Sequence, residues 1–323
     1  MSEPPVRDTH GRLGRIFDLG GDTMGTSWSV RVVGPERFDA AAIRSGIERQ
    51  LDTIIAQMSN WESESTISRF NRARIGEWQL LPAEFCTVLR AGLEVAEASG
   101  GAFDPAIGQF VDHWGFGPGG QKTVSEAASA RLPGAVSAPW RAIELQGDRG
   151  RRMANVALDF SGIAKGFAVD RVSLWLEEQG FPAHLVEIGG ELRGQGVKPD
   201  GQPWWVDWEV PPGLSLSPVC FALYGLGVAT SGDYRRWFQR DGVRISHSID
   251  SRSGAPVANS LASVTVLHEQ AMMADAWATA LIVLGLEQGL ALAAQQDLAV
   301  LMVRREGAQA RDYMSPAFSA MLD

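Results

Sequence analysis

The amino-acid sequence predicts a mixed α/β fold of the α+β kind, and three observations carry the prediction. Segments whose apolar residues alternate at period two stand beside segments whose apolar residues recur every three or four positions, so strands and helices both form. The two kinds interleave without a strict strand–helix–strand rhythm and without an internal repeat, which disfavours a doubly wound parallel sheet and a solenoid. With 323 residues, 45% of them hydrophobic and 21% charged, the chain can bury one large core or two lobes of ordinary size.

Residues 1–18 are polar, carry Pro4, Pro5, Gly11 and Gly14 and lack periodicity, so they read as a flexible leader before a single domain over 19–323. Ser27 to Val33 alternates Trp28, Val30 and Val32 with polar partners, as a half-buried strand does. Ala40 to Ile55 reads as a helix on Ile43, Ile47, Leu51 and Ile54 or Ile55. A second helix, Ala83 to Ala98, ends at Gly100-Gly101, where left-handed caps favour glycine. A Gly/Pro loop from Gly115 to Gly120, an Ala-rich helix from Ser125 to Arg131 and a loop through Pro139 follow. Strands are expected at Ala142 to Leu145 and Ala154 to Phe160, then a helix from Gly162 to Gln179 and a hairpin about Gly189-Gly190. Trp204 to Val210 reads as a strand with Trp204, Val206 and Trp208 in the core. Further strands fall near Phe221 to Leu223, Arg244 to Ile249 and Ser263 to Leu267. The helix Ala271 to Leu284 and a last helix from Glu287 complete the pattern.

Composition excludes several classes of function. A net charge of -9 and a pI near 5.2 give no electrostatic footprint for nucleic acid or an anionic membrane. Cys86 and Cys220 stand far apart with no second Cys or His at ligand spacing, so both read as buried core residues and not as a disulfide or zinc site. The longest apolar run, Ala276 to Leu286, is about half a bilayer span, so no transmembrane segment is expected. No h-region or early Cys marks export or lipidation. As written the chain fits the cytoplasm, or the periplasm if a leader has been removed.

The phosphate-loop, zincin and hydrolase-elbow signatures are absent. Gly115, Gly117 and Gly120 match G-x-G-x-x-G by chance, with Pro118 inside and no helix signal following. The run DFSGIAKGFAVD, Asp159 to Asp170, is more informative. A strand that turns through Ser161-Gly162 into a helix presents free first-turn amides to an anion, and Lys165 adds a point charge suited to phosphate. Gly166 costs ~1 kcal/mol against Ala inside a helix, which makes sense where a ligand or another backbone comes close. An ordinary strand–turn–helix with a surface lysine explains the same residues, and the segment alone leaves both readings open. Asp275 and Thr279 lie four apart on an apolar helix, so a carboxylate and a hydroxyl face the same way, as oxygen ligands of a hard cation would; on these residues alone a helix-terminal Asp and a back-bonding Thr are the favoured account. Small-residue turns at Met24-Gly25-Thr26, Gly101 to Pro105 and Thr230 to Asp233 could offer donors to a ligand. His247, in HSID, is a candidate base or a structural histidine. His10, His113, His184 and His268 have no such setting.

Read in order, MGTSWSV, MSNWESESTISRFN, GAFDP, LDFSGIAKGFAVD, VEIGGELRGQG, ATSGDYRRWF, HSIDSRSG and TVLHEQAMMADAWATALIVLG resemble the ApbE family, the FAD:protein FMN transferases, over about residues 20–303. The resemblance implies two lobes around a central FAD cleft and a magnesium-dependent enzyme. Its implied reaction moves FMN from FAD to a Thr or Ser hydroxyl of an acceptor protein, such as a redox-pump or reductase subunit, and releases AMP. Carried over motif by motif, flavin dinucleotide contacts fall on Met24, Trp61, Ala102, Phe103, Asp104, Asp159, Lys165 and His247, and metal ligands on the Gly162 carbonyl, Asp275 and Thr279. Magnesium held by Asp275 would neutralise pyrophosphate charge, Lys165 and the helix end would stabilise the negative charge developing at phosphorus, and His247 would serve as base. Trp61 replaces the family's usual Tyr, and Ser251 and Ser253 interrupt its D-P-R-T-G turn, loosening the turn near His247. Two other readings stay open: a magnesium-dependent FAD pyrophosphatase giving FMN and AMP, and a flavin-binding module without turnover.

Overall fold

The computed structural model describes residues 14–120, 136–234, 237–240, 243–307 and 309–322. An eight-stranded antiparallel sheet organises them, in the order β1 (Arg15–Thr23), β2 (Thr26–Gly34), β6 (His184–Ile188), β7 (Glu191–Gln195), β10 (Leu226–Gly232), β15 (Leu261–His268), β16 (Ala299–Glu306) and β17 (Gln309–Met314). Strand side chains point alternately to the two faces, and this sheet buries both. Trp28, Val30, Val32, Val186, Val264, Val266, Val300 and Met302 pack toward the larger core. Their neighbours Val33, Leu185, Leu267, Leu301 and Val303 pack into a second one.

The larger core is closed by helices α1 (Ala40–Met58), α3 (Ala83–Ala98), α5 (Ala164–Glu178), α6 (Ala271–Leu284) and α7 (Leu286–Gln295). The second is closed by the hairpin of β8 (Trp204–Asp207) and β9 (Cys220–Leu223) and by the short α8 (Pro316–Ser319). Trp204 and Trp208 are core residues there, as the alternation predicts. Smaller pieces are α2 (Thr66–Arg72), α4 (Gly108–His113), a three-stranded sheet of β3 (Gln79–Leu80), β5 (Arg149–Arg152) and β4 (Ile143–Gln146), and the pairs β11 (Trp237–Arg240) with β12 (Val243–Ser246) and β13 (Ile249–Asp250) with β14 (Ala255–Pro256). Helices α3 and α6 have the bounds that periodicity assigns to them, and Gly100 and Gly101 both take left-handed φ, +61° and +83°.

Several expectations are corrected. Ala154 to Phe160 is not a sheet strand: it begins in a bend, with Val156 N donating to Ala154 O at 2.9 Å, and only Ala157 bridges Ile107. Side chains take the place of a ladder. Leu158 N donates to Asn71 Oδ1 at 2.7 Å, and Asn71 Nδ2 returns to Leu158 O at 2.9 Å. The strand expected from Arg244 to Ile249 breaks at His247, between β12 and β13. Cys86 is buried, but Cys220 is exposed: it stands on the outward side of β9, and its thiol donates to Asp207 Oδ1 at 2.8 Å. β1 begins at Arg15, inside the stretch read as leader. Residues 1–13 of that leader and the Ser125–Arg131 helix lie outside the described residues. No described helix is long and apolar enough to cross a membrane.

Candidate functional site

Helices α5 and α6 cross backbone to backbone. A Cβ on Gly166 would fall 2.2 Å from Ala271 O and 2.7 Å from Met272 Cα, and one on Gly227 of β10 would fall 2.8 Å from Ala271 Cα. The start of α6 is therefore clamped between two glycines, and the helix-interior Gly166 is accounted for by the approach of another backbone. One consequence is chemical. Gly166 N donates to Asp275 Oδ2 at 3.1 Å, one turn into α6.

Asp275 is buried, at 4% exposure. Burial pushes its carboxyl above the usual range, and the Lys165 ammonium and the Gly166 N–H pull it back. Thr279, one turn further on the same face, has its hydroxyl 3.3 Å from Ser231 Oγ on β10. A Cβ on Gly162 would lie 2.9 Å from Thr279 Oγ1 and 3.4 Å from the Phe103 ring. Gly162, Phe103, Thr279 and Ser231 thus meet at one point, with Asp275 and Lys165 a turn away. Among the described residues no cluster of three or more His, Cys, Asp or Glu suits a metal. What comes together instead is a carboxylate, hydroxyls and the Gly162 backbone, a set of oxygen donors that could hold a hard cation whose remaining positions go to phosphate and water.

Lys165 pairs with the buried Glu191. Glu191 opens β7 directly after the Gly189-Gly190 turn, and a Cβ on Gly189 would lie 3.4 Å from Lys165 Cδ and 2.9 Å from Thr26 Cγ2. The same contact brings the β1–β2 turn, with Met24 in left-handed backbone at φ +50°, beside the lysine. Several of the amides expected to be free at the start of α5 are already bonded. Ala164 N donates to Phe160 O, Gly166 N to Asp275, and Ser161 N to Asp159 Oδ1. The positive charge available to an anion is therefore chiefly the Lys165 side chain.

Asp159 is buried, and its second oxygen accepts from Asn60 Nδ2 at 3.1 Å. Trp61, next to Asn60, is 54% exposed, as a stacking ring open to a ligand would be. Asn60, Asn71, Arg72, Asp112 and Asp159 line a cleft of about 180 Å³, and Asn60 Oδ1 is buried without a partner among the described residues. Asp159 N donates to Pro105 O at 2.8 Å, which joins this cleft to the Ala102-Phe103-Asp104 turn.

In that turn Asp104 accepts from Ala106 N at 2.8 Å and Trp140 N at 3.3 Å. Burial raises its carboxyl to about 6, against the lowering pull of Ala106, Ser251 and Trp140. Ser251 Oγ donates to Gly101 O at 2.8 Å. The serine that interrupts the family's usual D-P-R-T-G turn thus ties this turn to the Gly101–Asp104 turn. His247, four residues earlier, is half-buried and lies edge-on to Phe116 with ring centroids 6.3 Å apart. Phe116 in turn belongs to a patch with Phe110 and Ile249.

Sequence reading missed Glu191, Asn60 and Asn71. Glu191 follows a Gly-Gly turn in a period-two strand, a signal that it shares a face with Arg193. The asparagines gave none, because each acts across a long sequence separation on the backbone of Leu158.

Comparison with known proteins bears on this geometry. Residues 24–302 match the sequence profile of the ApbE family. Proteins named FAD:protein FMN transferase from Klebsiella pneumoniae and Vibrio cholerae are 33% and 34% identical, over 94% and 99% of this chain and 89% and 94% of their own lengths. The apo crystal structure of Pseudomonas stutzeri flavinyl transferase ApbE superposes with a TM-score of 0.86 at 35% identity, covering 95% of this chain and 96% of that one. The Vibrio cholerae flavin transferase ApbE superposes with a TM-score of 0.86 at 32% identity, over 95% and 99%.

Proposed function

The chain belongs to the ApbE family and is an FAD:protein FMN transferase, and from that premise we propose that it moves FMN from FAD to a Thr or Ser hydroxyl of an acceptor protein with magnesium, releasing AMP. The observation that carries the finer reading is the meeting of Gly162, Lys165, Asp275 and Thr279 where α5 crosses α6. In balance, the acceptor oxygen bonds to the FMN-side phosphorus while the bond from that phosphorus to the bridging oxygen breaks. AMP departs with that oxygen, and the hydroxyl proton passes to a base.

This chain's residues divide the work. Asp275 and Thr279, with the Gly162 carbonyl, would hold magnesium, which when bound neutralises pyrophosphate charge. Lys165, anchored by Glu191, offsets negative charge that develops at phosphorus. Met24, Trp61, Ala102, Phe103, Asp104 and Asp159 contact the dinucleotide, with the exposed Trp61 ring as the stacking surface for the isoalloxazine. His247 takes the proton, since an imidazole is the side chain whose ordinary pKa allows it near neutrality.

The test is to incubate the protein with FAD, magnesium and a Thr-bearing acceptor and follow covalent flavin fluorescence on the acceptor. A fluorescent acceptor, lost in Asp275→Ala, is the expected result. An unlabelled acceptor, or full labelling by Asp275→Ala, would overturn the reading. FMN and AMP formed without any acceptor would assign the attack to water.

A further inference from the structure

The Asp159–Asp170 run ends on a residue that neither the metal nor the flavin assignment uses. Asp170 sits on α5, yet both of its carboxylate oxygens serve α6: Ala271 N donates to Oδ1 and Met272 N to Oδ2, each at 2.9 Å. α6 has no cap of its own. Gln270 at its N-cap makes no side-chain cap bond, and its first turn holds no acidic residue. Two orphan amides and the positive end of the helix are therefore met by a carboxylate from a different helix.

That carboxylate is itself fixed. Arg193 of β7 pairs with Asp170 at 3.3 Å and also donates to Glu269 O, just before α6. Two residues earlier on the same face of β7, Glu191 pairs with Lys165. β7 thus grips α5 at Lys165 and at Asp170, and α5 grips α6 at Ala271–Met272 through Asp170 and at Asp275 through Gly166 N. Glycines at 166 and 227 remove the side chains that would otherwise hold the helices apart, so the depth of α6 is set by these bonds.

We propose that Asp170 is a positioning residue for the transfer reaction: by capping α6 from α5 it sets Asp275 and Thr279 against Gly162 and Lys165, and so sets metal affinity without touching flavin or metal. The inference rests on the metal assignment made above. Groups that act one shell out from a metal typically govern 10- to 100-fold in affinity, and Asp170 acts on the ligands through the helix that bears them.

The experiment compares two caps. Asp39 caps α1, accepting from Ala42 N at 3.0 Å, and α1 carries no site residue. Mn2+ titrations of the FAD-bound protein, read by electron paramagnetic resonance, are made on wild type, Asp170→Asn, Asp39→Ala and Asp275→Ala, with thermal unfolding and FAD affinity in the absence of metal measured alongside. Asp170→Asn is expected to weaken Mn2+ binding by about 10-fold or more at unchanged FAD affinity, while Asp39→Ala lowers the unfolding temperature and leaves Mn2+ binding alone. If Asp170→Asn does not fold, Arg193→Gln, which removes the counter-ion of Asp170, should shift Mn2+ binding the same way by less. Asp275→Ala separates the two failures. Mn2+ binding unaffected by Asp275→Ala overturns the metal assignment, whereas binding lost there but intact in Asp170→Asn, or in Arg193→Gln where that variant stands in, overturns the positioning role alone.

Discussion

The two walls of the site are built on different principles. One is the crossing of α5 and α6, where backbone meets backbone at Gly166 and Ala271 and the chemical side chains follow at helical spacing. The other is a pair of turns, Gly101 to Pro105 and Asp250 to Gly254, whose shape is kept by side chains bonded to backbone: Asp104 to Ala106 and Trp140, Ser251 to Gly101. A packed helix wall fails when something too large enters it. A turn wall fails when one of its bonding groups changes charge or is lost.

The helix wall should show the largest effects. Asp275→Ala is expected to lower the transfer rate on the order of 10³-fold, as loss of a principal electrostatic group does, with the acceptor-labelling assay as the measure. Gly166→Ala adds one methyl group at a point 2.2 Å from Ala271 O. α6 must move to admit it, so a loss of about 3 kcal/mol in urea unfolding is expected, with labelling activity falling alongside. A Gly166→Ala protein of wild-type stability would show that the crossing is looser than backbone contact requires.

The turn wall should respond to pH. Asp104 has its carboxyl raised from 3.8 to about 6 by burial, so the folded protein holds that proton more tightly than the unfolded chain. The stability this contributes is present in full below pH 3.8 and is lost as pH rises through about 6, about 3 kcal/mol at most. His184, at the start of β6, behaves oppositely. Fully buried, it has both ring nitrogens bonded, to Ser173 Oγ at 2.7 Å and Phe181 O at 2.8 Å, and burial lowers it from 6.5 to about 4. Its contribution is present above pH 6.5 and is lost as pH falls through about 4, with a similar ceiling. Between pH 4 and 6 the two slopes oppose each other. Asp104→Asn should therefore unmask a stability that rises with pH, read from urea unfolding at intervals across that window. An unchanged profile would mean that Asp104 is already ionised at pH 4.

The same division explains what the sequence made legible. Asp275 and Thr279 are four apart on an apolar helix, so their shared face follows from the helical repeat alone, and the glycine at 166 signalled a close approach without saying to what. The sheet could be anticipated where a strand alternates, as in β2 and at Ser263 to Leu267 of β15, although β15 is buried on both faces over Leu261 to Leu267. The misread segment, Ala154 to Phe160, is held at Leu158 by Asn60 and Asn71 from almost ninety or more positions away instead of by a strand ladder, and no local pattern encodes that. Asp170 was legible as part of a motif but not as a cap, since its partners lie 101 and 102 residues downstream. The flavin reading came from eight motifs in order, not from the residue chemistry of any one of them.

Ser251 offers the finest test of the turn wall. The residue is 3% exposed, its hydroxyl joins the two turns by donating to Gly101 O, and its nearness to the Asp104 carboxyl lowers that group's pKa. Ser251→Ala should cost about 1 kcal/mol, the net worth of one buried hydrogen bond, which alone would not distinguish a turn tie from any other buried hydroxyl. The distinguishing consequence is at Asp104. With the Ser251 hydroxyl gone the carboxyl loses one of the polar groups that favour its ionised form, so its pKa rises further and the pH at which its stabilising contribution is lost moves upward. A stability loss with the Asp104 window unmoved would leave Ser251 as a packing residue of its own turn. A window displaced to higher pH would show that the two turns titrate as one wall.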